Sequence, residues 1–123
     1  MPGARYGPAL GLAAAFAFSA SAFAAPQLQS VSATPNPLVL DAAARPEVII
    51  TVKVQRRPFD FTCNASIDPG DGRRGPDVTW SFGDSVAKST RYEYRRPGKY
   101  RLRVAGSGSD ACRGGAETLV IVR

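Results

Sequence analysis

The chain contains no histidine, and this absence removes several kinds of chemistry. Serine and cysteine nucleophiles usually depend on a histidine base, and most zinc sites use imidazole ligands. No glycine-rich phosphate loop is present between a strand and a helix, so nucleotide chemistry has no support. Paired carboxylates are the remaining acid–base candidates, but a small domain rarely buries them enough to shift their pKa values. We therefore expect a protein that is not an enzyme and needs no cofactor.

Long apolar runs are also missing, except near the N-terminus. Residues 9–18 carry no charge, Arg5 precedes them, and residues 22–24 read Ala-Phe-Ala, which fits the small-x-small rule of signal peptidase. The run is shorter than the roughly 20 apolar residues that span a bilayer, so we expect no stable membrane anchor. We predict a cleavable signal peptide over residues 1–24 and a single domain over residues 25–123, periplasmic or secreted.

Cysteine is scarce, with only Cys63 and Cys112 in the chain. In an exported protein two cysteines favour a disulfide, because oxidising compartments preserve such bonds. A domain of about 100 residues buries a modest share of its surface and gains from a covalent staple. Closing a loop of this length is worth about 4 kcal/mol in the chain-entropy treatment. The alternative is a pair of free buried thiols.

Alternation of apolar and polar residues predicts several β-strands. The strictest alternation surrounds Cys63 and directs its side chain into the core. Proline and glycine clusters separate the strands, and no segment keeps a helical period, so we expect an all-β sandwich or barrel. The alanines of residues 41–46 predict at most one helical turn, which the proline ends. The predicted strands cover residues 48–54, 59–68, 99–104 and 118–122.

Two segments resemble the signatures of PKD (polycystic kidney disease-type) domains. Residues 67–72, Ile-Asp-Pro-Gly-Asp-Gly, resemble the strand and acidic turn of that family, although Pro69 stands where the family has an aromatic residue. Residues 94–104 are similar to its later signature, a tyrosine, a Pro-Gly turn and a Tyr-x-Val strand. Residues 80–85 form a looser second copy of the acidic turn, with Ser85 in place of the last glycine. Which copy holds the family position stays open.

The resemblance covers roughly residues 48–122. It implies an immunoglobulin-like, PKD-like antiparallel β-sandwich in an extracellular or periplasmic protein, and with the alanine-rich signal it suggests a bacterial source. Domains of this kind usually act as spacers, adhesion units or binding modules. The resemblance therefore implies no catalysis.

The acidic turn and the aromatic residues have a structural interpretation. Glycines allow positive φ in a tight turn, and aspartates accept hydrogen bonds from turn amides. Tyrosine combines a ring for the core with a hydroxyl for a backbone partner, and a lone tryptophan in a sandwich usually belongs to the core. The alternative for Trp80 is an exposed stacking platform for sugars beside Phe82. We assign turn roles to Asp68, Gly70, Asp71, Gly72, Pro97 and Gly98 and core roles to Trp80, Tyr94 and Tyr100.

Calcium binding is the alternative for the same turns, because carboxylate and amide oxygens are hard ligands. The spacing of these residues does not follow a dedicated calcium loop, and we predict no metal site. The calcium alternative would use Asn64, Asp68, Asp71 and Asp84.

Positive charge is the global feature with the widest functional reach. Without the signal peptide the chain keeps 15 basic residues against 10 acidic ones, and arginines occur in adjacent pairs at predicted turns and strand ends. If the pairs gather at one end, they form a patch for an acidic protein, an anionic glycan or an envelope surface. The alternative is a solvated surface that keeps the protein soluble. The candidate contacts are Arg56, Arg57, Arg73, Arg74, Arg95 and Arg96.

Two functions from different classes remain. The first is an exported, non-catalytic binding or interaction module of the PKD-like type that contacts a protein or an anionic envelope surface. The second is a small secreted inhibitor or effector of a hydrolase that inserts a loop, with the glycine-rich residues 107–115, held by Cys112, as the candidate loop. Nucleic acid is not an expected partner, because no aromatic residues are interleaved with the basic ones. The identity of the partner and the oligomeric state stay open, since sandwiches have edge strands that can associate.

Overall fold

The computed structural model describes residues 25–41, 45–56 and 62–123. Seven strands and no helix occur in these ranges. Each strand presents alternate residues to the core, as a period of two requires. The strands are β1 Gln27–Thr34, β2 Glu47–Gln55, β3 Cys63–Asp68, β4 Asp77–Trp80, β5 Ala87–Glu93, β6 Gly98–Gly106 and β7 Gly115–Val122.

The strands form two antiparallel sheets. The first has the order β1-β2-β5 and the second the order β4-β3-β6-β7. If β1, β2, β3, β5, β6 and β7 are lettered A, B, C, E, F and G, the pairings B–E and C–F–G of an immunoglobulin-like sandwich are present, with β4 on the free side of C. The predicted all-β fold with two antiparallel sheets is confirmed.

The core lies between the sheets. In β2 the β-branched residues Val48, Ile50 and Val52 are fully buried, while the residues between them face outward. Each such side chain is worth about 1.5–3 kcal/mol when removed from water. Trp80 and Tyr94 are the largest fully buried side chains, and the indole N–H of Trp80 donates to the carbonyl of Val86 at 3.2 Å.

The four predicted strands agree with the structure to different extents. Residues 48–54, 99–104 and 118–122 lie within β2, β6 and β7 and are confirmed. Of the predicted strand 59–68, the part from Cys63 onward forms β3, and residues 59–61 lie outside the described residues. The predicted helical turn at residues 41–46 likewise falls largely on residues 42–44, which are not described.

Three strands were not predicted, each for a physical reason. In β1 the register shifts between Leu28 and Ser30, and this bulge interrupts the alternation of buried and exposed residues. β4 has only four residues, too few for a clear period. β5 consists mostly of polar residues, so it has no alternation of apolar and polar side chains that would predict a strand.

The predicted disulfide is confirmed, with Cys63 and Cys112 joined at 2.05 Å over a sequence separation of 49 residues. It ties the start of β3 to the β6–β7 connection. The backbone of Asn64 adds three hydrogen bonds to the same connection, to Ser107, Asp110 and Cys112. The bond therefore lies along one side of the four-stranded sheet, whereas the usual immunoglobulin disulfide joins the two sheets.

Removal of the disulfide should destabilise the domain strongly. Replacement of Cys63 and Cys112 together by alanine should lower the free energy of unfolding by about 4 kcal/mol, because the unfolded chain regains the entropy of a long loop. Urea denaturation at neutral pH measures the change, and the wild-type protein under reducing conditions is the control. A loss below about 1 kcal/mol would contradict this prediction.

Candidate binding site

Two loops meet at one end of the sandwich. The β3–β4 loop covers residues 69–76 and the β5–β6 loop covers residues 94–97. β3 ends at Asp68 and β5 ends at Glu93, both at this end of the sandwich, and the two loops begin there. Together they surround a pocket of about 280 Å³, lined by Asp71, Arg73, Arg95, Arg96 and Tyr100.

The β3–β4 loop is shaped by its own sequence. The carboxylate of Asp68 accepts the N–H of Gly70 at 2.9 Å, which closes a local turn. Gly70 has a φ of 85°, and a Cβ at this position would lie 2.5 Å from the carbonyl oxygen of Arg101. Only glycine fits this approach to β6, so the turn is held tightly against the sheet.

Asp71 fastens this loop to β5. Its carboxylate accepts the hydroxyl of Tyr92 at 2.6 Å, and it accepts the N–H and the Nε–H of Arg73 at 3.1 and 3.2 Å. The guanidinium of Arg73 also donates to the carbonyl of Glu93 and lies 5.1 Å from the centre of the Tyr92 ring. Because the Asp71 side chain is only 10% exposed, these contacts form a partly buried, charge-assisted network.

The network shifts the pKa values of both acidic partners. Burial alone raises the pKa of Asp71, but the hydrogen bonds and charge of Tyr92 and Arg73 outweigh it and hold the pKa below the ordinary value of 3.8. Burial, then the hydrogen bond and charge of Asp71, raise the pKa of Tyr92 to about 12. At neutral pH Asp71 is therefore ionised and balances the charge of Arg73, while Tyr92 keeps its proton.

A second tyrosine set positions the β5–β6 loop. Tyr94 is fully buried, donates its hydroxyl to the carbonyl of Pro69 at 2.9 Å and stacks on Tyr100 at 4.8 Å between ring centres. Burial raises the pKa of Tyr94. Tyr100, near the start of β6, donates its hydroxyl to the carbonyl of Arg96 at 2.7 Å, four residues upstream. This is the arrangement called a tyrosine corner in immunoglobulin-like sandwiches.

The guanidinium groups of the pocket differ in how much of their charge is already paired. The charge of Arg73 is already balanced by the carboxylate of Asp71, 3.2 Å away. Arg95 is 3.9 Å from the carboxylate of Glu93, and both side chains are well exposed, so this pair is weak. Within the described residues, Arg96 makes no ion pair and no side-chain hydrogen bond. Three arginines face two carboxylates, and the pocket keeps an excess of positive charge at its mouth.

The structure brings together only some of the predicted arginine contacts. Arg73, Arg95 and Arg96 share the pocket, and Arg74 lies in the same loop but points into solvent, 3.9 Å from Asp77. Arg56 is at the opposite end of the sandwich, where its guanidinium donates to the carbonyls of Ser81 and Asp84 at 2.6 and 2.9 Å. Arg57 lies outside the described residues.

The ring of Phe82 is exposed, whereas Trp80, its neighbour in the alternative of a stacking platform, is fully buried as the core assignment predicts. The Phe82 side chain is 80% exposed at the tip of the β4–β5 turn, where Gly83 has a φ of 88°. Asp84 accepts the N–H of Ser81 at 2.8 Å and pairs with Lys88 at 3.0 Å. The hydrogen bond from Ser81 and the pair with Lys88 lower the pKa of Asp84. Arg56 donates to the same turn, so hydrogen bonds hold the backbone that presents Phe82.

The oxygen ligands of the calcium alternative are dispersed. Asn64 accepts the hydroxyl of Thr79 at 2.8 Å, whereas Asp68 and Asp71 hold the β3–β4 loop and Asp84 holds the β4–β5 turn. Among the described residues no group of three or more Cys, Asp or Glu side chains is placed to hold a metal. The same part of the chain contains no helix that is long and apolar enough to span a membrane.

Substitution of Asp71 by asparagine should destabilise the β3–β4 loop. It should also change the pH dependence of the free energy of unfolding and the titration of Tyr92. The loss of a charge-assisted hydrogen bond should lower the free energy of unfolding by about 2 kcal/mol at pH 7. Because the folded-state pKa of Asp71 lies below 3.8, its stabilisation is complete above that value and is lost as the pH falls through the folded-state pKa. The difference between variant and wild type should therefore shrink in acid.

The same variant should lower the pKa of Tyr92 from about 12 toward 10, since a neighbouring negative charge is removed. Tyrosinate absorbance during an alkaline titration measures this, and Tyr92→Phe identifies the transition. An unchanged titration in Asp71→Asn would mean that the carboxylate does not contact Tyr92 in solution.

Comparisons of the chain with protein-family models, with curated proteins and with solved structures found no match. The sandwich and the pocket are therefore interpreted from their own residues, and the PKD-like assignment stays a proposal.

Proposed function

We propose that this chain is an exported, non-catalytic binding module of the PKD-like type that holds an acidic group of a partner protein or an anionic envelope surface in the pocket between the β3–β4 and β5–β6 loops. The observation that carries the proposal is the convergence of Arg95 and Arg96 on one pocket, beside the paired Arg73. Loops at the end of a rigid sandwich are the usual place for a binding function.

The chemistry of the pocket suits an oxyanion. Guanidinium groups present planar sets of N–H donors that match carboxylate, phosphate or sulfate oxygens, often in two parallel hydrogen bonds. Within the described part of the chain Arg96 has no competing side-chain partner, and Arg95 needs only to exchange its weak pair with Glu93. Tyr100 holds the backbone of Arg96, so the loop is ordered before the partner arrives, which reduces the entropy cost of binding.

A non-catalytic role agrees with the state of the carboxylates. A general acid near neutral pH needs a raised pKa, whereas the pKa values of Asp71 and Asp84 are both lowered. These two groups also serve the two loops at opposite ends of the sandwich. Their hydrogen bonds support a structural role.

Three features support the PKD-like and exported parts of the proposal. The Tyr94–Tyr100 segment spans the β5–β6 corner, and the hydrogen bond of Tyr100 to Arg96 there supports the resemblance to the later PKD signature. The acidic turn that contains Asp71 contacts Tyr92 beside that corner, which supports the first copy of the turn as the family position. The disulfide is compatible with an oxidising compartment.

Binding to immobilised heparin, a sulfated polyanion, tests the pocket. The double substitution Arg95→Gln and Arg96→Gln should make the protein elute at clearly lower salt, because two guanidinium donors are lost from one site. The matched control is Arg101→Gln with Arg103→Gln, which removes the same charge from the exposed face of β6, where both arginines pair with Glu117. Wild-type retention should weaken steadily as salt rises.

Equal losses in the two double variants would overturn the pocket proposal, since net charge alone would then explain retention. Binding of wild-type protein to acidic polyglutamate, but not to vesicles containing phosphatidylglycerol, would assign the partner to the protein class. The opposite pattern would assign it to an envelope surface.

A second candidate function is supported by Phe82. An exposed aromatic ring on a turn held by Arg56 and Asp84 has the form of an anchor that enters an apolar cleft. The glycine-rich residues 107–115, predicted as the inhibitory loop, are held to β3 through Asn64 and Cys112 and stay a candidate for the inserted loop. Phe82 is the second candidate anchor of a hydrolase inhibitor of this fold.

Inhibition assays against secreted proteases and glycoside hydrolases test this second function. Stoichiometric inhibition that is lost in Phe82→Ala and kept in Val39→Ala, another exposed apolar residue, supports it. Inhibition that survives Phe82→Ala contradicts the anchor role. Truncation of a central anchor is expected to weaken binding by at least about 2 kcal/mol.

A further inference from the structure

Within the described residues, the outer edge of β5 is open, because β5 pairs there only with β2. The register joins Glu47 to Glu93 at one end and Lys53 to Ala87 at the other. The N–H of Tyr94 donates to Pro46 and the N–H of Val54 donates to Val86, both at 3.0 Å.

These two bonds flank the end pairs and identify them as non-hydrogen-bonded pairs of the antiparallel ladder. By alternation, Lys88, Thr90 and Tyr92 direct their backbone groups to β2. Ala87, Ser89, Arg91 and Glu93 direct theirs away from the sheet.

The two middle positions of this outer set have no partner within the described residues. At the ends, the N–H of Ala87 donates to the hydroxyl of Ser85 at 3.3 Å, and the carbonyl of Glu93 accepts Arg73. Ser89 and Arg91 keep two N–H and two C=O groups facing outward, and both residues are exposed. An unpaired row of this kind is a template for an additional strand.

The opposite side of the sandwich shows what a closed edge looks like in this protein. The side-chain amide of Asn36 donates to Leu119 O at 2.8 Å and accepts the N–H of Ile121 at 3.0 Å, which satisfies the edge of β7. The backbone of Leu38 continues this pairing with Ile121 and Arg123. In the described part of the chain, β5 has no such cover.

The charges along the open edge of β5 favour an acidic partner strand over a second copy of this chain. The exposed Arg91 makes no ion pair within the described ranges, whereas Arg73, where the open stretch ends, is already paired with Asp71. Arg95 and Arg96 follow directly. A second copy of this basic chain would bring like charges together, which disfavours self-pairing. An acidic strand meets complementary charge and also uses the backbone groups, which a glycan or a lipid does not.

We propose that the edge of β5 binds an extended acidic segment of a partner protein as an added strand, with Ser89 and Arg91 as its backbone contacts and Arg95 and Arg96 as the receptors of its terminal carboxylates. This inference rests on the proposed function and names its partner class. A strand advances about 3.3 Å per residue, so four residues beyond Arg91 cover the about 13 Å of chain to Arg95. Arg73 lies along that path.

A fluorescein-labelled ten-residue peptide that alternates glutamate with threonine and valine is the probe for the full-length protein after export. Anisotropy should show saturable binding. Ser89→Pro should weaken it by about tenfold, because proline removes an outward N–H and is tolerated at a sheet edge. Ser89→Ala keeps that N–H and loses the same contact between the Ser89 and Thr51 hydroxyls, so it is the matched control and should bind like the wild type.

Amide hydrogen exchange supplies a readout that does not depend on affinity. The peptide should slow the exchange of the Ser89 and Arg91 amides and leave the Thr90 amide, which already faces β2, unchanged. Equal binding by Ser89→Pro and Ser89→Ala, or unaltered exchange at Ser89, would overturn the added-strand proposal. If the peptide fails to bind while heparin retention still depends on Arg95 and Arg96, this inference fails and the proposed function stands. Loss of both overturns both.

Discussion

The arrangement of the candidate site depends on the hydrogen bonds and the ion pair that the carboxylate of Asp71 makes with Tyr92 and Arg73. The Asp71 side chain is only 10% exposed, and the partly buried charge is tolerated because Tyr92 and Arg73 satisfy it with hydrogen bonds and opposite charge. Through these bonds a loop of the four-stranded sheet is attached to β5 of the three-stranded sheet. The network therefore links the two layers at the end where the arginines gather.

Because of this link, the arginines at this end of the sandwich have different roles. Arg73 is immobilised by Asp71 and Glu93, so it contributes to structure. Arg95 and Arg96 extend from a loop whose backbone is held by Tyr100, and their own charges are weakly paired or unpaired. Because the loop backbone is already ordered, binding of an oxyanion here costs less conformational entropy. Arg56 shows the contrast, since its guanidinium holds the Phe82 turn at the other end.

The candidate site could be predicted from the sequence only in its parts. The arginine pairs and the acidic turn are visible as motifs, and the tyrosine signature marks the β5–β6 corner. The proximity of Arg73 to Arg95 depends on the loop after β3 reaching across to β5, which no local pattern encodes. The sequence also left open which of Trp80 and Phe82 is exposed, because the end of β4 at Trp80, which separates the buried ring from the exposed one, is not marked by a clear period.

By itself, the sequence determined that the chain is all-β and where four strands lie, because a period of two in side-chain polarity is a local property. It also determined the disulfide partners, since a chain with two cysteines has one possible intramolecular pairing. Only the tertiary structure decided which charges are free, which sheet edge is open and which arginines share a pocket. These depend on contacts between residues far apart in the chain, such as Asp71 with Tyr92 and Asn36 with Leu119, and such contacts arise only when the two sheets pack.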